Sequence, residues 1–307
     1  MKASVVICTW NRAALLDRAF YHLQKLQIPK GMEWEVVVVD NNSTDSTNEI
    51  IKKHTGPLPI QSYFEPRQGV AHARNLATQS AKGEWLFCLD DDVEVSSDWF
   101  LAYLAATDRW PTAAYFGGVI TPRFEVPPAR WITENPDLLS GAILSRDLGP
   151  EERILVKTEA VYGANIAYRL SIFRTWHFDS RLGPRGKVLI AGEETHLQKQ
   201  LQESGEFGVW IPKSKVQHYV PAQRATLSFV RNHCVSVGKM DTRIHGLPAG
   251  QTPAKVLGWL LLQYGAAFAK SIWLRLRRDS RWLSTYCHAA RLKGNIIEAY
   301  LSAPENS

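Results

Sequence analysis

Three short runs of apolar, largely β-branched residues constrain the fold of this chain more than any other feature. They span residues 4–9, 35–40 and 85–89, and each ends in polar residues. Nearly continuous apolar runs of this length are typical of parallel strands that are buried on both faces of a sheet. Helical patterns separate the runs, so the chain is expected to form an α/β fold with a doubly wound, mostly parallel sheet flanked by helices.

Apolar residues recur at helical spacing between and after these runs. The pattern predicts four helices, at residues 13–26, 46–54, 70–81 and 98–106. Ser43 or Thr44 is the expected N-cap of the second helix. Ligands of such sheets bind beyond the carboxyl ends of the strands. We therefore look for chemistry in the polar segments that follow the runs, at residues 9–12, 40–43 and 90–92.

Three adjacent aspartates, Asp90, Asp91 and Asp92, follow the third apolar run. Three neighbouring carboxylates repel one another unless a cation or strong hydrogen-bond donors compensate them. Hard oxygen ligands favour Mg²⁺ or Mn²⁺, and a metal held by one or two carboxylates keeps coordination positions for phosphates. The sequence therefore predicts a divalent metal site, with a solvated acidic turn as the alternative.

Two more polar loops run from a strand into a helix. Asp40 ends the second run, and the backbone N–H groups of the loop after it face outward at a helix N-terminus. Its carboxylate is a candidate for binding the base or ribose of a nucleotide. The loop at 65–75 carries Arg67 and Arg74, which suit contacts with phosphate or carboxylate groups. Helix capping and surface charge are the alternatives for these polar residues.

Six segments of this chain occur in the order typical of family-2 glycosyltransferases: SVVICTWNR, VVVVDNNSTDST, EPRQGVAHARNLA, GEWLFCLDDDVEVSSDW, YGANIAYR and GEETHLQKQL. On these segments, which cover about residues 4–222, the chain resembles that family. The resemblance implies a GT-A-type catalytic domain at 1–222, with a nucleotide-binding half at about 1–120 and an acceptor half at about 121–222. A helical, basic and aromatic C-terminal region follows at 223–307.

The resemblance also implies which residues bind the donor and the metal. It implies nucleotide-sugar contacts from Thr9, Asn11, Arg12, Asp40, Asn42, Arg67, Gly69, Arg74, Asn75, Asp90 and Asp91. Asp92 is the expected metal ligand, with Asp90 and His218 as further candidates. A lone histidine such as His218 is more often structural than a ligand.

Glu193 and Glu194 stand where the family usually has Glu-Asp. By resemblance, Glu194 is the expected catalytic base and Glu193 the reserve candidate. Glutamate in place of aspartate is a departure from the family, because the extra methylene moves the carboxylate and a base must reach its proton within hydrogen-bond distance. The alternative is that both acids only complement the dipole of the helix that they begin.

The implied reaction is a single displacement with inversion. One sugar moves from a nucleoside-diphosphate sugar, with a UDP-sugar favoured, to a hydroxyl of a saccharide or lipid-linked acceptor in polysaccharide or glycolipid assembly. Glu194 takes the acceptor proton, while Mn²⁺ or Mg²⁺ together with Arg67 or a nearby basic group stabilises the departing diphosphate. Two alternatives stay open: a non-catalytic sugar- or nucleotide-binding scaffold, and a sugar-phosphate nucleotidyltransferase. The latter should show a Gly-rich loop after the first strand, where this chain has Thr9 to Arg12.

Two segments are candidates for closing over a bound donor, with a passive loop as the alternative for either one. The first is the Pro-rich, irregular stretch at 121–152, which contains Trp131 and is too long for an ordinary connection. The second is the Gly-Pro-Arg-Gly segment at 183–186, just ahead of the glutamate pair.

The positive charge is concentrated near the C-terminus. Residues 270–293 hold seven Lys or Arg and one acid, Asp279. The net charge of this stretch therefore equals the formal net charge of the whole chain, +6. With Trp259 and Trp273 nearby, this composition suits an anionic membrane face. A helical pair packed against the core is the alternative. No nucleic-acid partner is predicted, because the charge is confined to this aromatic-rich region.

The remaining features concern the compartment. The N-terminal apolar run is too short for a secretory signal, so we expect a cytoplasmic protein, with a peripheral position on the inner face of the cell membrane as a hypothesis. The apolar stretch 256–269 is too short for a confident membrane span. The four cysteines lack metal-binding spacing, so neither a disulfide framework nor a zinc site is predicted.

Overall fold

The apolar runs form the centre of one mixed sheet in the computed structural model, which describes residues 2–186, 192–246 and 253–301. The strands are β1 Ala3–Thr9, β2 Trp34–Asp40, β3 Ile60–Phe64, β4 Trp85–Asp90, β5 Val93–Val95, β6 Tyr115–Phe124, β7 Arg153–Ile154, β8 Ile166–Arg169 and β9 Gly208–Val220. Their order is β3-β2-β1-β4-β8-β6-β9-β5, and β7 pairs with β9.

The N-terminal half of this sheet is parallel. β1 lies between β2 and β4, and β3 lies beyond β2. The register pairs Thr9 with Asp40 and Cys8 with Asp90, so three polar strand ends meet at one edge. The other pairings, β4 with β8, β8 with β6, and β9 with β5 and β7, are antiparallel. The α/β class is confirmed, and an antiparallel half completes the sheet.

The helices are α1 Ala13–Leu23, α2 Thr47–His54, α3 Val70–Ser80, α4 Trp99–Arg109, α5 Arg130–Thr133, α6 Pro136–Ile143, α7 Glu193–Glu203, α8 Leu227–His245, α9 Pro253–Leu276 and α10 Trp282–Leu301. Short 3₁₀ helices span Gly163–Asn165, Leu170–Arg174 and Ala222–Ala225. The expected N-cap of α2 was wrong: Ser46, not Ser43 or Thr44, occupies that position, and its side chain caps no backbone N–H. The Asp45 carboxylate instead accepts from the backbone N–H of Thr47 at 3.0 Å.

The chain divides into two compact units. The first comprises residues 1–123, 144–186 and 193–220 and contains the sheet. The second contains residues 124–143 together with the C-terminal helices α8, α9 and α10. Residues 247–252 and 302–307 of the predicted C-terminal region lie outside the described residues.

Part of the Pro-rich stretch belongs to the second unit rather than to the sheet. Residues 124–143 include α5 and α6, although the sequence predicted an irregular segment in the acceptor half. Ile132 and Leu139 are buried in one apolar cluster with Val230 of α8 and Leu283 of α10. These distant apolar partners are the physical reason for the difference. None of the helices in the described ranges is long and apolar enough to cross a bilayer.

Candidate functional site

Asp91 and Asp92, directly after β4, are held by hydrogen bonds from the end of β1 and from Arg12, the residue before α1. The Thr9 hydroxyl donates to Asp91 Oδ2 at 2.8 Å. The Arg12 guanidinium donates from one nitrogen to Asp91 Oδ1 at 2.8 Å and to Asp92 Oδ2 at 3.0 Å. Burial raises the pKa of Asp91 to about 6, although Arg12 opposes the shift. Asp91 and Asp92 are buried, whereas Asp90 is the most accessible of the three.

His218 reaches the same cluster from the antiparallel half of the sheet. Its backbone pairs with Val93 across β5 and β9, directly after the aspartates. The fully buried imidazole places Nε2 at 3.3 Å from Asp92 Oδ1. One carboxylate oxygen and one imidazole nitrogen therefore face each other beside Asp90.

Arg74, from α3, lies between the aspartates and the glutamate pair. Its guanidinium pairs with Glu193, lies 3.3 Å from Asp90 Oδ1, and lies 3.6 Å from Glu194 Oε2. Burial lowers the pKa of Arg74, but the surrounding carboxylates outweigh it and raise the pKa well above the ordinary value. A Cβ at Gly163 would lie 2.3 Å from an Arg74 nitrogen, so glycine there leaves the space that the guanidinium occupies.

The two glutamates begin α7 in different environments. Glu193 is 3% exposed, and burial followed by the neighbouring Glu194 raises its pKa well above the ordinary value, with Arg74 offsetting part of the shift. The Glu194 side chain is 14% exposed, and its Oε1 lies 3.5 Å from the Gly163 backbone nitrogen. Glu194 is thus the more accessible carboxylate of the pair.

Asn11, Asp40 and Asn42 shape the loop after β2. Asn11 Oδ1 accepts from the Thr44 backbone N–H at 2.6 Å, and Asp40 Oδ1 accepts from that of Ser43 at 2.9 Å. Asn11 and Asn42 both have positive φ, at 52° and 68°, a left-handed conformation that asparagine tolerates better than most residues. These residues build the loop by local bonds, and Asn42 remains exposed.

The other predicted donor contacts have protein partners of their own. Arg67 forms a two-point pair with Glu65, at 2.8 and 2.7 Å, while its side chain is 68% exposed. Gly69 has φ of 138°, which requires glycine, and precedes α3. Asn75 exchanges two hydrogen bonds with the backbone of Phe178. Arg67 and Asn75 are therefore engaged with partners within the protein.

Asp90, Asp91, Asp92, Glu193 and Glu194 form a cluster with more carboxyl groups than cations among the described residues. Its five carboxylates face two guanidinium groups, those of Arg12 and Arg74. The described residues contain no group of three or more His, Cys, Asp or Glu side chains placed to hold a metal ion by themselves. Asp92 and His218 fit a cation that also takes ligands from phosphate, because such sites use few protein groups.

A match to a protein-family profile identifies the family of this chain. The profile of the family described as Glycosyl transferase family 2 matches residues 4–175, more than half of the chain. The chain belongs to glycosyltransferase family 2. The match includes β1 to β4 and the aspartates, whereas the glutamate pair and His218 lie beyond its end.

Relatives of this family-2 chain agree over different lengths. The succinoglycan biosynthesis protein ExoM of Rhizobium meliloti (strain 1021) is 25% identical over 251 residues, covering 78% of this chain and 76% of ExoM. A validoxylamine A glucosyltransferase of Streptomyces hygroscopicus subsp. jinggangensis (strain 5008) is 39% identical over 105 residues, or 34% of this chain and 25% of that protein. The second likeness covers only a quarter of the relative.

Solved structures share the fold at low sequence identity. Residues 1–349 of S. aureus TarS align with a TM-score of 0.56 and 16% identity, over 98% of this chain and 90% of that chain. The mannosyltransferase PcManGT from Pyrobaculum calidifontis aligns with a TM-score of 0.61 and 19% identity, over 95% of this chain and 86% of that one. Both support the GT-A-type fold of this family-2 chain.

Sequence reasoning missed two buried asparagines of the family-2 domain. Asn41 donates to the backbone carbonyls of Glu65 and Arg67 and accepts from the Gly69 N–H, so it fixes the loop before α3. Asn165, in the segment YGANIAYR, is fully buried and accepts from Trp99 and Tyr103. The sequence signal was present, since both asparagines lie inside the quoted segments, but spacing alone does not say which polar residues point inward.

Of the two segments expected to close over a donor, 183–186 lies beside the start of α3. The Val70 N–H donates to the Pro184 carbonyl at 3.0 Å. The side chain of Arg185 lies next to Gly69, and Gly186 faces the ring of Trp10. Trp131, expected in the other segment, lies on α5 in the second unit.

Proposed function

We propose that this family-2 chain is a metal-dependent, inverting glycosyltransferase that moves one sugar from a nucleoside-diphosphate sugar to an acceptor hydroxyl. The observation that supports it most strongly is the Arg74 bridge, which joins Asp90 on the donor side to the glutamate pair at the start of α7. A pyrophosphate-binding end and a candidate base thus share one buried cation. A non-catalytic scaffold would only have to bind its ligand, and binding does not require a candidate base linked to the donor end through Arg74.

The donor end is preorganised by the sheet. Thr9 and Arg12 fix the orientation of Asp91 and Asp92, so these carboxylates need not rearrange when a ligand arrives. Asp92 and His218 are the residues that would hold Mn²⁺ or Mg²⁺, and the ion would supply positive charge to the departing diphosphate. Asp90, which is more accessible, is available to the ribose or to the ion.

At the other end, Glu194 is the proposed base. Its carboxylate is partly accessible, whereas Glu193 is buried against Arg74. A base must reach the acceptor hydroxyl, which favours the accessible group. Arg74 keeps Glu193 in place, and Glu193 together with the Gly163 N–H limits where Glu194 can point.

The relatives support the substrate class. TarS has been solved with UDP-GlcNAc, and PcManGT with GDP-Man and Mn²⁺. ExoM is named for succinoglycan biosynthesis and TarS for transfer to poly(ribitol-phosphate). For this chain we propose a nucleoside-diphosphate sugar donor, with a UDP-sugar favoured, and a saccharide or lipid-linked acceptor in polysaccharide or glycolipid assembly.

The test is calorimetric titration with a panel of UDP-, GDP- and dTDP-sugars, with Mn²⁺ and with excess chelator. We expect saturable binding of one donor that disappears with the chelator and in Asp92→Ala. Asp108→Ala, at a 70% exposed side chain paired with Lys2, is the matched control and should bind like the wild type. Absence of binding to every donor would refute a transferase. Metal-dependent binding without transfer or donor hydrolysis would instead favour the scaffold.

A further inference from the structure

Within the described ranges, helix α9 is covered on one face only. Val256 and Leu260 are buried in one cluster with Leu292 and Ala299 of α10. Leu274, near the C-terminal end of α9, is also buried. These positions follow the three- and four-residue spacing of a helix that packs on one neighbour.

The opposite surface of α9 is apolar as well. Among the described residues, fifteen large hydrophobic side chains are exposed, and α9 carries seven of them: Trp259, Leu261, Leu262, Phe268, Ile272, Trp273 and Leu276. Leu262 is 76% exposed and Leu276 is 81% exposed. A helix that is apolar on all sides is normally enclosed by other apolar material, and a large exposed patch marks an interaction site. We call these seven side chains the outer face of α9.

Cationic side chains adjoin the outer face at its C-terminal end. Arg275, Arg277 and Arg278 are all exposed. The Arg277 guanidinium lies 4.2 Å from the centre of the Trp273 ring, and that of Arg275 lies 5.0 Å from the Trp282 ring. Paired cations and indole rings next to exposed leucines match the boundary between lipid headgroups and acyl chains. A purely apolar partner would leave these charges without a complement.

We propose that the outer face of α9 docks on an anionic lipid bilayer, with the helix lying along the membrane surface. Leucine, phenylalanine and tryptophan side chains enter the headgroup and acyl boundary, and the arginines contact lipid phosphates. The helix lies along the surface rather than across it, in keeping with the absence of a spanning helix in the described ranges. This inference names a partner of the proposed enzyme but rests only on the second unit, so it holds even if the proposed transfer reaction does not.

The first test is co-sedimentation of the full chain with vesicles. Phosphatidylcholine vesicles are compared with vesicles that also contain phosphatidylglycerol, at low and high salt. Binding should require phosphatidylglycerol and weaken with salt. Leu262→Glu/Leu276→Glu should reduce binding by about tenfold or more, because two exposed leucines no longer enter the apolar layer. Arg277→Gln/Arg278→Gln should reduce it by about fivefold per residue.

The matched control places the same two negative charges elsewhere. Ile154→Glu/Val156→Glu changes two side chains of the first unit that are 48% and 55% exposed. It should bind anionic vesicles like the wild type. Circular dichroism and a thermal unfolding midpoint close to that of the wild type establish that each variant is folded.

Three results would overturn the inference. One is equal binding to neutral and anionic vesicles, and another is wild-type binding by Leu262→Glu/Leu276→Glu. The third is a stable dimer in light scattering without lipid that the leucine variant converts to a monomer, which would show that a second copy of the chain covers the outer face.

Discussion

The two ends of the candidate site are held in different ways. The aspartates lie at the end of β4 and directly after it. The register of β1 with β4 and of β9 with β5 fixes their neighbours Thr9 and His218. The glutamate pair begins α7 and depends on one buried side chain, Arg74 of α3. The sheet end is therefore fixed by several independent contacts, while the helix end relies on a single cation in the part of the chain that the structure describes. Removing one group should have different consequences at the two ends.

The largest effect is expected at the sheet end. Asp92→Ala removes the carboxylate that faces both Arg12 and His218, and with it the proposed metal ligand. Transfer should fall by about a thousandfold, the loss typical of removing a preorganised charge partner. Steady-state assays with the donor found by calorimetry measure this, and thermal unfolding should change little because Thr9 and Arg12 still hold Asp91. Transfer near the wild-type rate would show that the sheet end does not bind the reacting diphosphate.

Arg74→Met should have the next largest effect and should affect both activity and folding. It leaves Glu193 buried without its cation, which typically costs about 3–5 kcal/mol of unfolding free energy. Displacement of the glutamate pair should lower kcat by about a hundredfold. Arg74→Lys should restore part of both losses. Urea unfolding and kcat are the measurements, with Arg109→Met, at an exposed pair with Glu152, as the matched control.

Equal losses in Arg74→Met and Arg109→Met would contradict the claim that the helix end depends on Arg74. So would a rise in KM for the donor with no change in kcat, because that result would make Arg74 a donor contact rather than a positioning residue.

Glu193→Gln tests the helix end with a smaller change and a defined pH dependence. The Glu193 pKa is raised above its ordinary value of 4.5, because burial disfavours the charged form of the carboxyl group relative to the neutral form. Below pH 4.5, Glu193 makes its full contribution to the free energy of unfolding of the wild type. That contribution is lost as the pH rises through the raised pKa. The stability of the wild type relative to the variant should therefore fall with increasing pH in chemical unfolding curves. The opposite slope would show that the Arg74 pair outweighs burial.

Arg67→Ala should have the smallest effect. Its guanidinium is exposed and already paired with Glu65, and exposed pairs contribute about 0–1 kcal/mol. We expect transfer rate and donor affinity within about twofold of the wild type. A tenfold rise in donor Kd would instead support the phosphate contact that the sequence predicted for Arg67.

The sheet end could be predicted from the sequence because its geometry follows from local patterns. Apolar runs that end in polar residues predict parallel strands, and parallel strands bring their carboxyl ends to one edge. Thr9, Asp40 and Asp90 meet in this way. The helix end could not be predicted to the same degree, since the pairing of Arg74 with Glu193 joins residues 119 positions apart.

Two other features show the same limit. Residues 124–143 form helices because apolar partners in α8 and α10 cover them, and those partners lie about a hundred or more positions away in the chain. For α9, the sequence predicted an apolar stretch but left core packing and membrane contact equally open. Periodicity indicates which residues share a helix face, and only the structure shows which face is covered.

The most direct test of the central claim, that the aspartates and the glutamate pair form one catalytic site, is to measure donor binding and transfer in Glu194→Gln. The account predicts donor affinity within about twofold of the wild type and transfer slowed by about 10²- to 10⁴-fold, because only the proton acceptor is lost. Asp92→Ala, measured alongside, should lose both. Wild-type transfer by Glu194→Gln, or loss of donor binding equal to that of Asp92→Ala, would contradict the account.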